Sequence, residues 1–184
     1  MEPAIKPLDK LLFYKYLDKA TNYMEFGSGG STYQASIRPN IKTITTVESD
    51  LEWIEKLQSK ITHPSIQYNY IDIKAVPNSW GYPGEDCSPT HMKKYSDVKA
   101  PSDTDLILID GRFRVACCLK LFEQIKDKCI IAFDDFLDRN EYHIVLDYYS
   151  IIEKTTNNSL VILKKKQRGS PSIELIRQYE IIYK

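Results

Sequence analysis

With 184 residues, the chain is long enough for one domain with a substantial core and short for two. Lys plus Arg equals Asp plus Glu at 25 each, so the global basic field of a nucleic-acid or anionic-membrane binder is excluded and a small molecule or a glycan becomes the expected partner. Residues 1–10 carry Glu2, Lys6, Asp9 and Lys10 with no apolar run, and Cys117, Cys118 and Cys129 lie in apolar segments without C-x-x-C spacing. Signal peptide, membrane span and zinc site are therefore set aside, and buried reduced thiols in a cytoplasmic protein are expected.

Leu8, Leu11, Leu12 and Tyr16 recur at helical spacing behind Pro7, which predicts a lead-in helix over 8–20, within an N-terminal element of residues 1–20. A short strand, 22–26, then breaks at Gly27-Ser28-Gly29-Gly30, and a helix runs to about Ile37, before Pro39. Thr, Ile and Val enrichment predicts a strand over 42–47, and Asp50 caps a helix carrying Leu51, Ile54 and Leu57. A third strand is expected at 66–73. Residues 76–102 read as a long irregular loop punctuated by prolines and glycines; its Trp80, Tyr82 and Tyr95 point to a functional substrate loop.

Uninterrupted apolar runs predict buried parallel strands at 105–109 and 129–133, with a helix over 113–126 between them. Residues 141–148 read as helical, 151–154 and 160–164 as strands flanking an Asn157-Asn158-Ser159 hairpin turn, and 172–183 as helix or strand. The order implies a single domain, 1–184, of α/β class: a Rossmann-like, doubly wound, mostly parallel sheet with a C-terminal antiparallel hairpin and helices on both faces. Ligands of such sheets bind at the carboxyl ends of the strands.

Those ends carry the chemistry. Glu25-Phe26-Gly27-Ser28-Gly29-Gly30-Ser31-Thr32 joins a strand to a helix and lets backbone approach a ligand closely. A dinucleotide fingerprint would place glycine where Thr32 stands, and acidic Glu25 repels phosphate but suits an ammonium group, which counts against NAD. Glu48, about 20 residues on, suits two ribose hydroxyls; Asp72 faces either adenine or solvent. Asp110, Asp134 and Asp135 end the next two strands. As hard oxygen ligands they suit Mg²⁺, Mn²⁺ or Ca²⁺. A metal-free site, with Asp110 or Asp134 as general base and Asp135 capping the next turn, is the competing reading. His143 is a further candidate base, against a packing role. Arg112 and Arg114 either hold a substrate hydroxyl, carboxylate or phosphate or pair with Asp110 or Asp135 and fix the loop, and Trp80 and Tyr82 offer aromatic platforms for a planar or sugar substrate.

In order and spacing, EFGSGGST, TTVESD, DLILIDGRFR and IIAFDDF resemble class I S-adenosylmethionine-dependent methyltransferases over roughly residues 20–165. The resemblance implies that the turn (Glu25, Gly27, Ser28, Gly29, Ser31, Thr32) holds the methionine part of S-adenosylmethionine, Glu48 the ribose, and that Asp72 lies near adenine. It also likens Asp110, Asp134 and Asp135 to the metal site of catechol-type and sugar-tailoring O-methyltransferases, FDDF being closer to the sugar-tailoring group. DGRFR is similar to methyltransferases of glycan-modifying enzymes, including those of large algal viruses. The implied activity is O-methylation of a carbohydrate hydroxyl or another small-molecule hydroxyl, with or without Mg²⁺ or Mn²⁺. Specificity then comes from residues 76–102, the start of the chain, or a neighbouring subunit in a homo-oligomer. An NAD-dependent oxidoreductase and a non-catalytic binding module are the alternatives. A DNA amino-methyltransferase is disfavoured, because Asp110 is followed by Gly111-Arg112-Phe113 where Pro-Pro-aromatic would be needed.

Overall fold

The computed structural model describes residues 1–77, 79–156 and 159–183. Seven strands, β1 (Asn22–Phe26), β2 (Thr43–Glu48), β3 (Ile66–Tyr70), β4 (Leu106–Ile109), β5 (Ile130–Phe133), β6 (Tyr149–Lys154) and β7 (Val161–Lys165), form one sheet in the order β3-β2-β1-β4-β5-β7-β6. The first five pair in parallel, and β7 runs antiparallel to both β5 and β6. This is the expected doubly wound sheet with its terminal hairpin. Of that hairpin's proposed turn, Asn157 and Asn158 lie outside the described residues.

Strand alternation explains why the inner strands are apolar throughout. In β4, Leu106 and Leu108 join one hydrophobic cluster while Ile107 and Ile109 join the other, on the opposite face. The first cluster includes Leu12, Phe13 and Leu17 of α1 (Pro7–Leu17) and Ala35 of α2 (Gly30–Ser36). Burying each such side chain stabilises the fold by about 2 kcal/mol. Beside β3, α3 (Leu51–Gln58) buries Ile54 and Leu57, and Asp50 caps it by accepting from the Trp53 amide at 3.0 Å. The second cluster takes Tyr95 from α4 (Pro89–Ser96), most of α5 (Arg114–Gln124), and Tyr142 and Val145 from a 3₁₀ helix, Asn140–Asp147; Leu175 and Ile176 of α6 (Ile173–Tyr179) pack against it.

Two departures from the sequence reading affect the site. The 76–102 segment is not wholly irregular, because Ser88 accepts from the His91 amide and starts α4, with Pro89 in its first turn. The eight polar-rich residues of α4 are too few to display a periodic stripe. Residues expected to be helical near 141–148 wind as a 3₁₀ helix, a geometry suited to a short connector. The C-terminal segment is helical, Ser172 accepting from the Leu175 amide at 3.1 Å. All four cysteines are free and buried. No helix of the described residues is long and apolar enough to cross a membrane.

Candidate active site

Strand order reverses between β1 and β4, and there the two strand ends touch. Gly27 has φ of +91°, and a Cβ added to it would lie 2.8 Å from both Cα and N of Gly111. Gly111 is equally confined, since its own Cβ would meet the buried Tyr95 hydroxyl at 2.1 Å. The two glycines open a cavity of about 720 Å³ over the carboxyl ends of the strands, a volume suited to a nucleoside-sized ligand plus a small acceptor. Gly27–Ser31 and Glu48–Asp50 line one part of it; Asp110–Arg112, Arg114, Asp134 and Asp135 line another. Trp53, Trp80–Tyr82, Tyr95 and residues 1–4 complete the wall.

Glu48 sits where the spacing put it. One carboxylate oxygen accepts from the Ser28 amide (2.9 Å) and hydroxyl (2.7 Å), the other from the Ser49 and Asp50 amides at 2.6 and 3.1 Å. The backbone donors hold the carboxylate in place, while the serine hydroxyl can rotate away in favour of a ligand hydroxyl.

Glu25 does not line the cavity. Its carboxylate is fully buried beneath the turn, where it accepts from the Tyr23 hydroxyl at 2.8 Å, the Ser31 hydroxyl at 2.6 Å and the Thr32 hydroxyl. Thr32 in turn accepts from the Gly29 amide at 2.8 Å. Glu25 and Thr32 therefore brace the turn from below, and the expected direct contact of Glu25 with a ligand's ammonium group is corrected: period-two alternation sends it to the opposite side from Met24 and Phe26. Burial raises its pKa from 4.5 to about 7. A carboxyl with a raised folded-state pKa stabilises fully below its unfolded pKa, and this contribution is lost as pH rises through the folded value. We expect about 3 kcal/mol of stability to disappear from this group between pH 4.5 and 8. Urea titrations across that range should show a shallower pH dependence for Glu25→Gln than for the parent; identical profiles would contradict the assignment.

Asp110 and Asp134 form a carboxyl pair at the ends of β4 and β5, each feeling the other. Burial first, and then the Asp110 charge, lift Asp134 to about 8, while burial also raises Asp110 against the pull of Arg114. Two such neighbours oppose each other's ionisation. Asp135 turns elsewhere. With φ of +58°, its carboxylate reaches Arg139 at 2.8 Å and Arg114 at 3.2 Å. Arg114 also donates to the carbonyl oxygens of Gly111 (2.9 Å), Asp134 (2.7 Å) and Asp110 (3.2 Å). Its guanidinium is thus a fastener between the β4 and β5 ends, and the substrate-contact reading of Arg114 gives way to the loop-fixing one. The three aspartates do not fit a divalent ion: Asp135 is tied to two arginines, Asp110 pairs with Arg114 at 3.2 Å, and no cluster of three metal-capable side chains is present among the described residues. The metal assignment of Asp110, Asp134 and Asp135 is corrected accordingly.

Two other candidates lie outside the cavity. Asp72 is partly exposed beyond the end of β3, bonded to the Lys74 amide (2.8 Å) and ammonium (2.6 Å). The Nε2 of His143 lies 3.2 Å from the Phe136 carbonyl oxygen, with the ring against that of Phe136; this is the packing role, and the geometry gives no proton path to Asp110. Trp80 and Tyr82 do reach the cavity. The Val76 amide donates to the Tyr82 carbonyl at 2.9 Å and the Gly84 amide to that of Lys74 at 2.8 Å, folding the loop back. This leaves Trp80 80 % exposed at the cavity mouth. Sequence reasoning gave no site role to Trp53, Ser49 or Tyr95. Trp53 donates its indole N–H to the Ser28 carbonyl at 2.9 Å, and its position three residues after the Asp50 cap was the available signal.

No protein-family model matches the sequence, and no curated protein matches it. Solved structures do. A methyltransferase-like protein from Silicibacter pomeroyi superposes with a TM-score of 0.80 at 25% identity over 97% of each chain. The chain has the class I methyltransferase fold. An RNA methyltransferase from Salinibacter ruber, in complex with S-adenosyl-L-homocysteine, has a TM-score of 0.56 at 13% identity over 94% of this chain and 98% of its own. A putative caffeoyl-CoA O-methyltransferase from Staphylococcus aureus gives 0.52 at 18%, over 90% and 86%. At those identities the likeness is one of fold. In this fold the cavity above β1, β2 and β4 is the place to look for methyl-transfer chemistry.

Proposed function

We propose that this protein is an S-adenosylmethionine-dependent O-methyltransferase acting on a carbohydrate hydroxyl, with Asp110 receiving the hydroxyl proton. The observation that carries the reading is the meeting of the Gly27 turn, Glu48 and the Asp110–Asp134 carboxyl pair in one cavity. S-adenosylmethionine, when bound, supplies an electrophilic methyl group. The chain supplies the rest. Gly27 and Gly29 give close backbone approach, and Glu48, relieved of the Ser28 hydroxyl, accepts from ribose hydroxyls. Asp110, in its ionised form, accepts from the acceptor hydroxyl and takes its proton as the oxygen is methylated. A hydroxyl needs that base because its own pKa lies far above neutrality.

Trp80 and Tyr82 offer ring faces to a sugar, in keeping with the resemblance of FDDF and DGRFR to sugar-tailoring and glycan-modifying enzymes. Four free buried thiols accord with a cytoplasmic setting. Calorimetric titration with S-adenosylhomocysteine and with NAD tests the cofactor. We expect heat from the former alone, and an affinity about 10-fold to 30-fold weaker in Glu48→Gln, the worth of hydrogen bonds to a charged acceptor. Binding of NAD alone would reverse the reading. Label transfer from methyl-labelled S-adenosylmethionine to a panel of glycans then tests the acceptor.

A further inference from the structure

Arg112 differs from the other arginines at the β4 and β5 ends. Arg114 and Arg139 hold carboxylates, whereas Nε and Nη1 of Arg112 are enclosed and find no hydrogen-bond partner among the described residues. The side chain is only 7 % exposed. Its stem passes beneath Gly81, where an added Cβ would sit 3.9 Å from Arg112 Cγ, and its guanidinium lies 4.5 Å from the Tyr82 ring centre. The ring orients the cation without neutralising it. The Asp110 carboxyl lies near enough to feel its charge, but an enclosed guanidinium without full hydrogen bonding is costly, so Arg112 is matched to something that enters the cavity it borders.

We infer that the acceptor carries an anionic group, carboxylate or phosphate, which pairs with Arg112, so that the substrate is an acidic or phosphorylated sugar and not a neutral one. This rests on the methyltransferase reading. A planar guanidinium matches the oxygen spacing of either anion. The methionine carboxylate of the cofactor has the same chemistry. The acceptor is the better source because the residues packed on Arg112, Gly81 and Tyr82, belong to the loop at the cavity mouth and not to the glycine turn.

The test uses the full chain saturated with S-adenosylhomocysteine, followed by tryptophan fluorescence, since Trp53 and Trp80 both border the cavity. Glucuronate, glucose 6-phosphate and glucose are titrated in turn. At least one acid should bind about tenfold or more tightly than glucose, and which acid it is separates carboxylate from phosphate. Arg112→Met should abolish the preference with S-adenosylhomocysteine affinity kept within about threefold, and Arg112→Lys should retain part of it. Glucose binding as well as both acids, none of the three binding, or a preference that survives in Arg112→Met would overturn the inference. So would loss of acid and S-adenosylhomocysteine binding together, which would give Arg112 to the cofactor. The wild-type comparison requires no variant to fold. A parent protein that takes up no S-adenosylhomocysteine would instead remove the methyltransferase reading and this inference with it.

Discussion

Asp110→Asn should lower kcat by about 10²- to 10⁴-fold, the usual worth of a positioned base, while S-adenosylhomocysteine binds as before. The amide cannot take the acceptor proton, yet it keeps the side-chain volume. Asp134→Asn should behave differently. It leaves the Asp110 carboxyl in place, so we expect turnover within about tenfold of the parent. What changes is the pH profile. In the parent, Asp134 holds its proton up to about 8 because burial and the Asp110 charge oppose its ionisation. Above that pH the pair carries a second negative charge and Asp110 becomes more basic, so the parent rate should step upward near pH 8; in Asp134→Asn the step should be missing. Steady-state kinetics of both variants across pH 6–9.5, a window chosen to bracket about 8, read this directly. Unchanged turnover in Asp110→Asn would sink its role as base.

The largest effect on stability is expected from Arg114→Met, a loss of about 3–5 kcal/mol. The methionine fills much of the space but withdraws the donors to three carbonyl oxygens and the counter-charge to Asp110 and Asp135. The Gly111 and Asp134 carbonyls stay buried, and an unpartnered buried group costs more than its hydrogen bond was worth. In a chain of 184 residues this corresponds to a fall in Tm of roughly 10 °C. Arg114→Lys should rescue little, because one ammonium cannot span carbonyls on both strand ends. Thermal denaturation checks both variants. A Tm within about 2 °C of the parent in Arg114→Met would show that the guanidinium fastens nothing.

The places where reading from residues failed are instructive. Glu25, Arg114 and Asp135 stand at or beyond strand ends in the sequence, yet each is held by other groups of the protein, while Asp72 and His143 do not line the cavity. Glu25 was open to correction from the strand period alone, since Met24 and Phe26 already claim the opposite face. Arg114 was not. Its burial follows a turn into α5 in which Phe113 has φ of +52°, and depends on the meeting of Arg114 with the Asp134 carbonyl, 20 residues away in the chain. Asp135 depends on a left-handed backbone that a non-glycine residue adopts only where surrounding contacts enforce it.

Local sequence therefore determined what depends on period, propensity and turn chemistry: seven strands in their order, the helices between them apart from the short α4, the close-approach glycine at position 27 and the acid at position 48 that faces the cavity. Tertiary structure alone decided which charged side chains meet. Proximity between Asp110 and Asp134, or Arg114 and Asp135, is created when β4 and β5 pair, and a shifted ionisation or a neutralised charge belongs to the pair and not to either residue. The same holds for Arg112, whose Nε and Nη1 are seen to lack hydrogen-bond partners among the described residues only once the surrounding chain is in place.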